Sequence, residues 1–240
     1  MRQSRLFTEQ PLQAGGRAEL QGQSAHYLSN VLRLDVGDRV WLFNGDGSDY
    51  DAEVSRVGKH DVQLQLGGVR TLATESPLHT VLGLGISRGE RMDFAIQKST
   101  ELGVSVIAPL FTERCEVKLQ GERSDKRSAH WRQVAISACE QCGRARIPLL
   151  LPPMALDTWL GSAPGERRYV LDHEEQGTLG GTRPEGGVCL LIGPEGGLAP
   201  AEIAAAKAAG FSGLALGPRV LRTETAPLAA LAVLQYLWGK

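Results

Sequence analysis

Two glycine–proline turns toward the C-terminal end carry the residue types best suited to chemistry. The first follows the apolar run Val188–Ile192 and reads Gly193-Pro-Glu-Gly-Gly197; the second follows Leu214–Leu216 and reads Gly217-Pro-Arg-Val-Leu-Arg-Thr-Glu-Thr-Ala226. A short apolar run closed by such a turn and followed by a helix places bare backbone amides and carbonyls at the carboxyl edge of a parallel sheet, where α/β proteins bind ligands. Arg219 and Arg222 add guanidinium forks that match phosphate, carboxylate or a developing anion. Glu195 and Glu224 add carboxylates that could take a proton. The first turn is neither a G-x-x-x-x-G-K-[ST] phosphate loop nor a G-x-G-x-x-G dinucleotide fingerprint. The plainer reading of the first turn is backbone geometry alone. For the second, Thr223 or Thr225 could cap the next helix, but the two arginines have no structural need to be there.

Other candidates are weaker. Cys139 and Cys142 form a C-x-x-C, yet they lie inside a helical pattern, and Cys115 and Cys189 supply no second ligand pair. Ordinary semi-buried thiols are expected. His26, His60, His79, His130 and His173 show no ligand spacing, so no metal is expected. The formal net charge is −1, so the chain is no polycation; residues 86–148 nevertheless carry a net +3 while the flanking segments are acidic. If the partner is a nucleic acid, that middle segment is where phosphate contacts belong; otherwise it is a solvated helix face. The chain has no apolar run near the about 18 residues of a membrane span. The N-terminus, Met1-Arg-Gln-Ser-Arg-Leu-Phe7, lacks a signal peptide's apolar stretch, so a cytoplasmic location is expected.

The elements that must position these residues follow from periodicity. Residues 1–72 read as all-β, a small barrel. Asp38–Phe43, Ala52–Val57 and Val62–Leu66 are strands, Asn44–Gly47 a turn, Gly58–Asp61 a hairpin loop, and Ser24–Leu32 one short helix capped by Ser24. Thr71–Pro77 is a polar connection. From residue 73 to 240 strands alternate with helices, which means a mainly parallel sheet flanked by helices. Strands are expected at His79–Leu84, Val104–Leu110, Arg168–Asp172, Val188–Ile192 and Leu214–Leu216. Helices are expected at Glu90–Leu102, Lys126–Cys142, Pro200–Ala209 and Thr225–Trp238.

Ile192-Gly-Pro-Glu-Gly-Gly197 together with Leu216-Gly-Pro-Arg-Val-Leu-Arg-Thr-Glu-Thr-Ala226 resembles the signature of the RsmE family, bacterial 16S rRNA (uracil-N3)-methyltransferases of the SPOUT superfamily. The likeness extends through Arg5-Leu-Phe7, Val31-Leu-Arg-Leu34 and Asn44-Gly45, similar to the family's PUA-like barrel. It continues through Met92–Val104, Glu113-Arg-Cys115 and Glu140-Gln-Cys-Gly-Arg144 with Pro148. The resemblance implies an N-terminal PUA-like, RNA-binding barrel over 1–72 and a SPOUT methyltransferase domain over 73–240 with a C-terminal trefoil knot. It also implies S-adenosyl-L-methionine as cofactor, a homodimer, and 16S rRNA in the small ribosomal subunit as substrate, at the N3 of one uridine (U1498 in the family). Carried over, the cofactor pocket uses Leu171, Ile192, Gly193, Pro194, Glu195, Gly196, Gly197, Leu216, Gly217, Val220, Leu221 and Thr223. Ala199 departs from the pattern, since relatives often place Ser there; this loses a helix cap worth about 1 kcal/mol.

Uracil N3 lies on the Watson–Crick edge and carries a proton at neutral pH, so the target must be unpaired or extruded and the proton must leave. Glu195 and Glu224 are the candidate bases, and Arg222 is preferred as the group that stabilises the developing anion. Arg5, Arg33, Lys98, Arg114, Arg144 and Arg219 are candidate RNA contacts. Two rival readings stay open: a SPOUT methyltransferase acting on a ribose hydroxyl or on tRNA, and a non-catalytic RNA-binding assembly factor.

Overall fold

The computed structural model describes residues 3–117, 119–172, 174–175 and 177–240. Met1 and Arg2 of the N-terminal segment, and His173 of the histidine set, lie outside the described residues. Contacts divide the chain into two compact units, Met1–Glu75 with Cys139–Ile147, and Ser76–Ala138 with Pro148–Lys240. The first unit thus takes in residues 139–147, which the sequence reading had grouped with the rest of 73–240.

The first unit is built on β1 (Arg5–Phe7), β2 (Arg17–Gln21), β3 (Arg39–Phe43), β4 (Ser48–Val57) and β5 (Asp61–Thr71). They form one sheet in the order β1-β3-β4-β5-β2, with β1 parallel to β3 and the remaining pairs antiparallel. Alternate residues face inward, so Ala52 and Val54 of β4 and Val62, Leu64 and Leu66 of β5 share a core with Val40, Leu42 and Leu28. The strand order is linear, so the expected barrel is a curled half-barrel with β1 and β2 at its edges. The short helix starts earlier than expected, as α1 (Gly22–His26) continued by a π-helical turn over Tyr27–Val31. Ser24 is therefore inside it and caps nothing: the chain leaves β2 at Gln21, the N-cap residue, and turns into the helix at once. The strand β2 was not anticipated, because only Ala18 and Leu20 point inward among residues with little preference for strands.

The second unit carries β6 (Thr80–Gly85), α2 (Glu90–Glu101), β7 (Val106–Phe111), most of α3 (Glu122–Cys142), β8 (Leu149–Leu150), β9 (Met154–Ala155), α4 (Leu156–Leu160), β10 (Arg167–Leu171), β11 (Val188–Ile192), α5 (Pro200–Ala208), β12 (Ser212–Leu214) and α6 (Thr225–Trp238). The sheet runs β12-β10-β11-β6-β7-β8, with β9 beside β7, and every pair is parallel. Its central strands β6 and β11 are buried at every residue, as strands covered on both faces must be. Of the stripe Met92, Ala95, Ile96, Ser99 and Leu102 that the spacing predicts, the first four are buried on α2, while Leu102, its C-cap, is partly buried. Because the strands are parallel, the carboxyl ends of β10, β11 and β12 share one edge. The strand β12 ends at Leu214, two residues before the expected Leu216, which leaves Ala215 and Leu216 in the turn at that edge.

Candidate active site

A cavity of about 700 Å³ opens at this edge, lined by Leu171 at the end of β10, Ile192–Leu198 at and beyond the end of β11, and Leu214–Gly217 and Arg219–Glu224 at and beyond the end of β12. The volume falls in the about 300–1,000 Å³ range of small-molecule sites. Each residue expected to form a cofactor pocket lies on this wall: Leu171, Ile192, Gly193, Pro194, Glu195, Gly196, Gly197, Leu216, Gly217, Val220, Leu221 and Thr223. Residues more than fifty positions apart in the chain meet here because three strand ends do.

The turns are held by backbone geometry and by one hydroxyl. A Cβ at Gly193 would meet the Leu198 nitrogen at 2.7 Å and the Gly197 carbonyl carbon at 2.8 Å, so a side chain there would break the first turn. Gly217 has φ 99°, a left-handed backbone that suits glycine. The Thr223 hydroxyl donates to the Gly193 carbonyl oxygen at 2.8 Å and lies 3.3 Å from Ser87 Oγ. It therefore ties the second turn to the first and to the segment after β6. Thr223 is not a helix cap: the N-cap of α6 is Glu224, with no side-chain capping bond. At α5, Ala199 is the N-cap and offers no acceptor, but Glu202 accepts the Ala199 amide at 2.8 Å, half of a capping box, and also the Glu113 amide at 2.8 Å.

The four chemically active side chains have different surroundings. Glu195 accepts the Arg88 backbone amide at 2.9 Å and the Arg91 guanidinium at 3.2 Å. Burial pushes its carboxyl up, but the Arg88 amide, its own amide and Arg91 outweigh that and hold it below the ordinary value. Glu224 makes no ion pair with Arg219 or Arg222 among the described residues, and its Oε2 is buried without a hydrogen-bond partner. Arg219 and Arg222 are exposed on the cavity wall, and neither side chain makes a hydrogen bond or ion pair among the described residues.

The candidate RNA contacts divide sharply. Arg114 and Arg219 line the cavity, and Arg114 donates to the Gly196 carbonyl at 3.0 Å. Arg33 is exposed on the first unit with a left-handed backbone, φ 54°. Lys98 is paired with Glu101 at 2.7 Å. Arg5 and Arg144 are corrected: both are buried and engaged. Arg5 grips Asp49 through two bonds, at 3.0 and 2.7 Å, and donates to the carbonyls of Cys139 and Arg144. Arg144 pairs with Glu75 at 2.8 Å. A guanidinium that is desolvated and bound in this way serves the fold, not an exposed phosphate.

Some cavity residues escaped the sequence reading, namely Arg91, Asp172 and Glu174 on the wall and Ser87 behind Thr223. A signal existed for two of them: Gly85-Ile-Ser-Arg-Gly89 is a further strand-to-helix turn on the same sheet, with Ser87 inside it and Arg91 just beyond it in α2. Of the C-x-x-C, Cys139 is buried in α3 and burial pushes its thiol up to about 12, which leaves it unreactive at neutral pH. Among the described residues no group of three or more His, Cys, Asp or Glu could hold a metal ion, and no helix is long and apolar enough to cross a membrane.

The RNA methyltransferase domain family matches residues 74–235, and the RNA methyltransferase PUA domain family matches residues 20–67. The chain is 36% identical over 238 residues to the ribosomal RNA small subunit methyltransferase E of Buchnera aphidicola from Schizaphis graminum, covering 98% of this chain and 96% of that one. Its fold is similar to a ribosomal RNA small subunit methyltransferase E from Neisseria gonorrhoeae bound to S-adenosyl methionine, at TM-score 0.92 and 39% identity over 99% of both chains. It is similar as well to a Legionella pneumophila methyltransferase in complex with bound SAM, at TM-score 0.94 and 41% identity over 98% of both. With two RNA methyltransferase families matched in order and near-complete coverage of such relatives, the chain belongs to the ribosomal RNA small subunit methyltransferase E (RsmE) family.

Proposed function

We propose that this chain is an S-adenosylmethionine-dependent 16S rRNA methyltransferase that modifies the N3 of one specific uridine, the family's U1498, in the assembled small ribosomal subunit. The observation that carries the reading is the convergence of both glycine turns, with Arg222 and Glu224, on one cavity of cofactor size. The cavity suits the cofactor chemically. Leu171, Ile192, Leu216 and Leu221 offer apolar walls for a flat ring, and the turns offer backbone groups for its edge. Asp172 and Glu174 offer negative charge to a ligand that carries a sulfonium and an ammonium. Two similar proteins hold S-adenosylmethionine in their structures.

Bound there, the cofactor supplies an electrophilic methyl group. The chain's residues do the rest. The turns fix the ligand so that nucleophile, methyl and sulfur align, and alignment of this kind can supply several kcal/mol, about 7–11 in the best cases. Arg222 faces the negative charge that develops on the uracil as N3 loses its proton. Arg219, Arg114, Arg33 and Lys98 are assigned to RNA phosphates, and the half-barrel unit to RNA binding. The trefoil knot, the homodimer and the cytoplasmic location belong to the same proposal through family membership.

The test is methyl transfer from labelled S-adenosylmethionine to small subunits from a strain lacking the gene, with nucleoside mass spectrometry of the product. 3-Methyluridine at one mapped position is expected. Ribose methylation, or modification of tRNA instead, would overturn the target assignment. Failure to bind S-adenosylmethionine by calorimetry would overturn the enzyme itself.

A further inference from the structure

We infer that Glu224, and not Glu195, takes the N3 proton of the target uridine; this rests on the proposed N3 methylation. The two glutamates share one cavity wall but not one state. Glu195 already accepts a backbone amide at 2.9 Å and a guanidinium at 3.2 Å. A carboxylate so bound is stabilised in its charged form, which makes it a poor proton acceptor. Glu224 is half-buried on the cavity wall, has no hydrogen bond or ion pair among the described residues, and its Oε2 is buried without a donor. Buried polar atoms are almost always satisfied, so a carboxylate left without a donor on the wall of a binding cavity is set to receive one from the ligand. The N3–H of uracil is such a donor.

The position agrees with that role. The Arg222 carbonyl accepts the amides of Thr225 and Ala226, both at 2.9 Å, which closes the turn carrying Arg222 and Glu224 at the entry to α6. A cation with unspent donors and a carboxylate without one are thus held two residues apart on one rigid turn. Glu224 takes the N3 proton and becomes the neutral acid. The negative charge left on the uracil faces Arg222. The N3 lone pair forms the bond to the methyl carbon while the carbon–sulfur bond breaks, its electron pair going to sulfur. The products are 3-methyluridine, S-adenosylhomocysteine and protonated Glu224, which returns the proton to water.

The experiment compares the wild type, E224Q and E195Q on two substrates, small subunits reconstituted with ordinary 16S rRNA and with 16S rRNA transcribed with 5-fluorouridine. Fluorine makes the N3–H more acidic, so a missing base matters less. E224Q is expected to lose about 10²–10⁴-fold in turnover on ordinary rRNA, to regain much of it on fluorinated rRNA, and to bind S-adenosylmethionine by calorimetry as the wild type does. E195Q is expected to show the same ratio between the two substrates as the wild type. The ratio is taken within one preparation, so a partly folded variant does not distort it. An equal loss for E224Q on both substrates, or selective rescue of E195Q, would overturn the assignment. Absence of 3-methyluridine from the wild-type reaction would instead overturn the underlying reading.

Discussion

In the first unit the Arg5 guanidinium is engaged: two bonds to Asp49 and one each to two main-chain carbonyls hold it buried. Around the cavity of the second unit, Arg219 and Arg222 have no partner among the described residues and stand exposed on a turn. The residue type is the same. What separates a structural arginine from one available to a ligand is whether its donors are already matched by acceptors inside the fold. The glutamates of the cavity repeat the contrast, with Glu195 satisfied and Glu224 not.

The comparison can be broken most forcefully at Arg5. R5A leaves Asp49, which is fully buried, with only Arg70 at 3.0 Å as a cationic partner among the described residues, and should cost about 3–5 kcal/mol of stability in denaturant titration. A loss near zero would mean that Arg5 is as free as Arg222. Next in size, R222A should lower kcat by about 10²–10³-fold while leaving the melting temperature and S-adenosylmethionine affinity unchanged. Equal loss of turnover and affinity would show Arg222 to be a cofactor ligand. T223V removes the hydroxyl that joins the two turns and leaves the Gly193 carbonyl without its donor. It should cost about 1–3 kcal/mol and, unlike R222A, weaken cofactor binding in calorimetry.

Smaller effects sharpen the same line. A199S adds the missing acceptor at the start of α5, where Glu202 already provides half the capping box, and should stabilise by about 1 kcal/mol with turnover unchanged. Glu195 gives the smallest signal. Its folded carboxyl lies below the ordinary 4.5, so its contribution is complete above that value and fades as the pH falls through the folded one. The stability difference between wild type and E195Q should therefore shrink on acidification, measured by thermal unfolding across the acid range. A difference that grows on acidification would reverse that sign.

Much of the fold was legible because it is written locally. The runs Val188–Ile192 and Thr225–Trp238 form a strand and a helix with those bounds, and the apolar stripe of α2 is buried as its spacing requires. Elsewhere a neighbour decided. Leu216 lies in the turn because β12 pairs with β10 only over Ser212–Leu214. The helix α4 was missed because five residues carry too little periodicity; Trp159 is placed by packing, close against the Cα of Gly83 and 5.8 Å from the Phe211 ring. Ser24 has the type of a cap but not its place, since β2 runs straight into the helix.

From the amino-acid sequence alone come the longer strands and helices of the second unit in their order, the two glycine turns at strand ends, and hence much of the cavity wall, because these follow from short-range periodicity and turn chemistry. Only the tertiary structure decided which charged side chains remain available. Arg5 meets Asp49 across 44 positions and the Arg144 carbonyl across 139; Glu195 meets Arg91 across 104. Hydrogen-bond capacity is consumed by whatever the fold brings near, and spacing along the chain carries no record of that. Arg222 and Glu224 stand out by the same accounting, as charged groups without partners among the described residues.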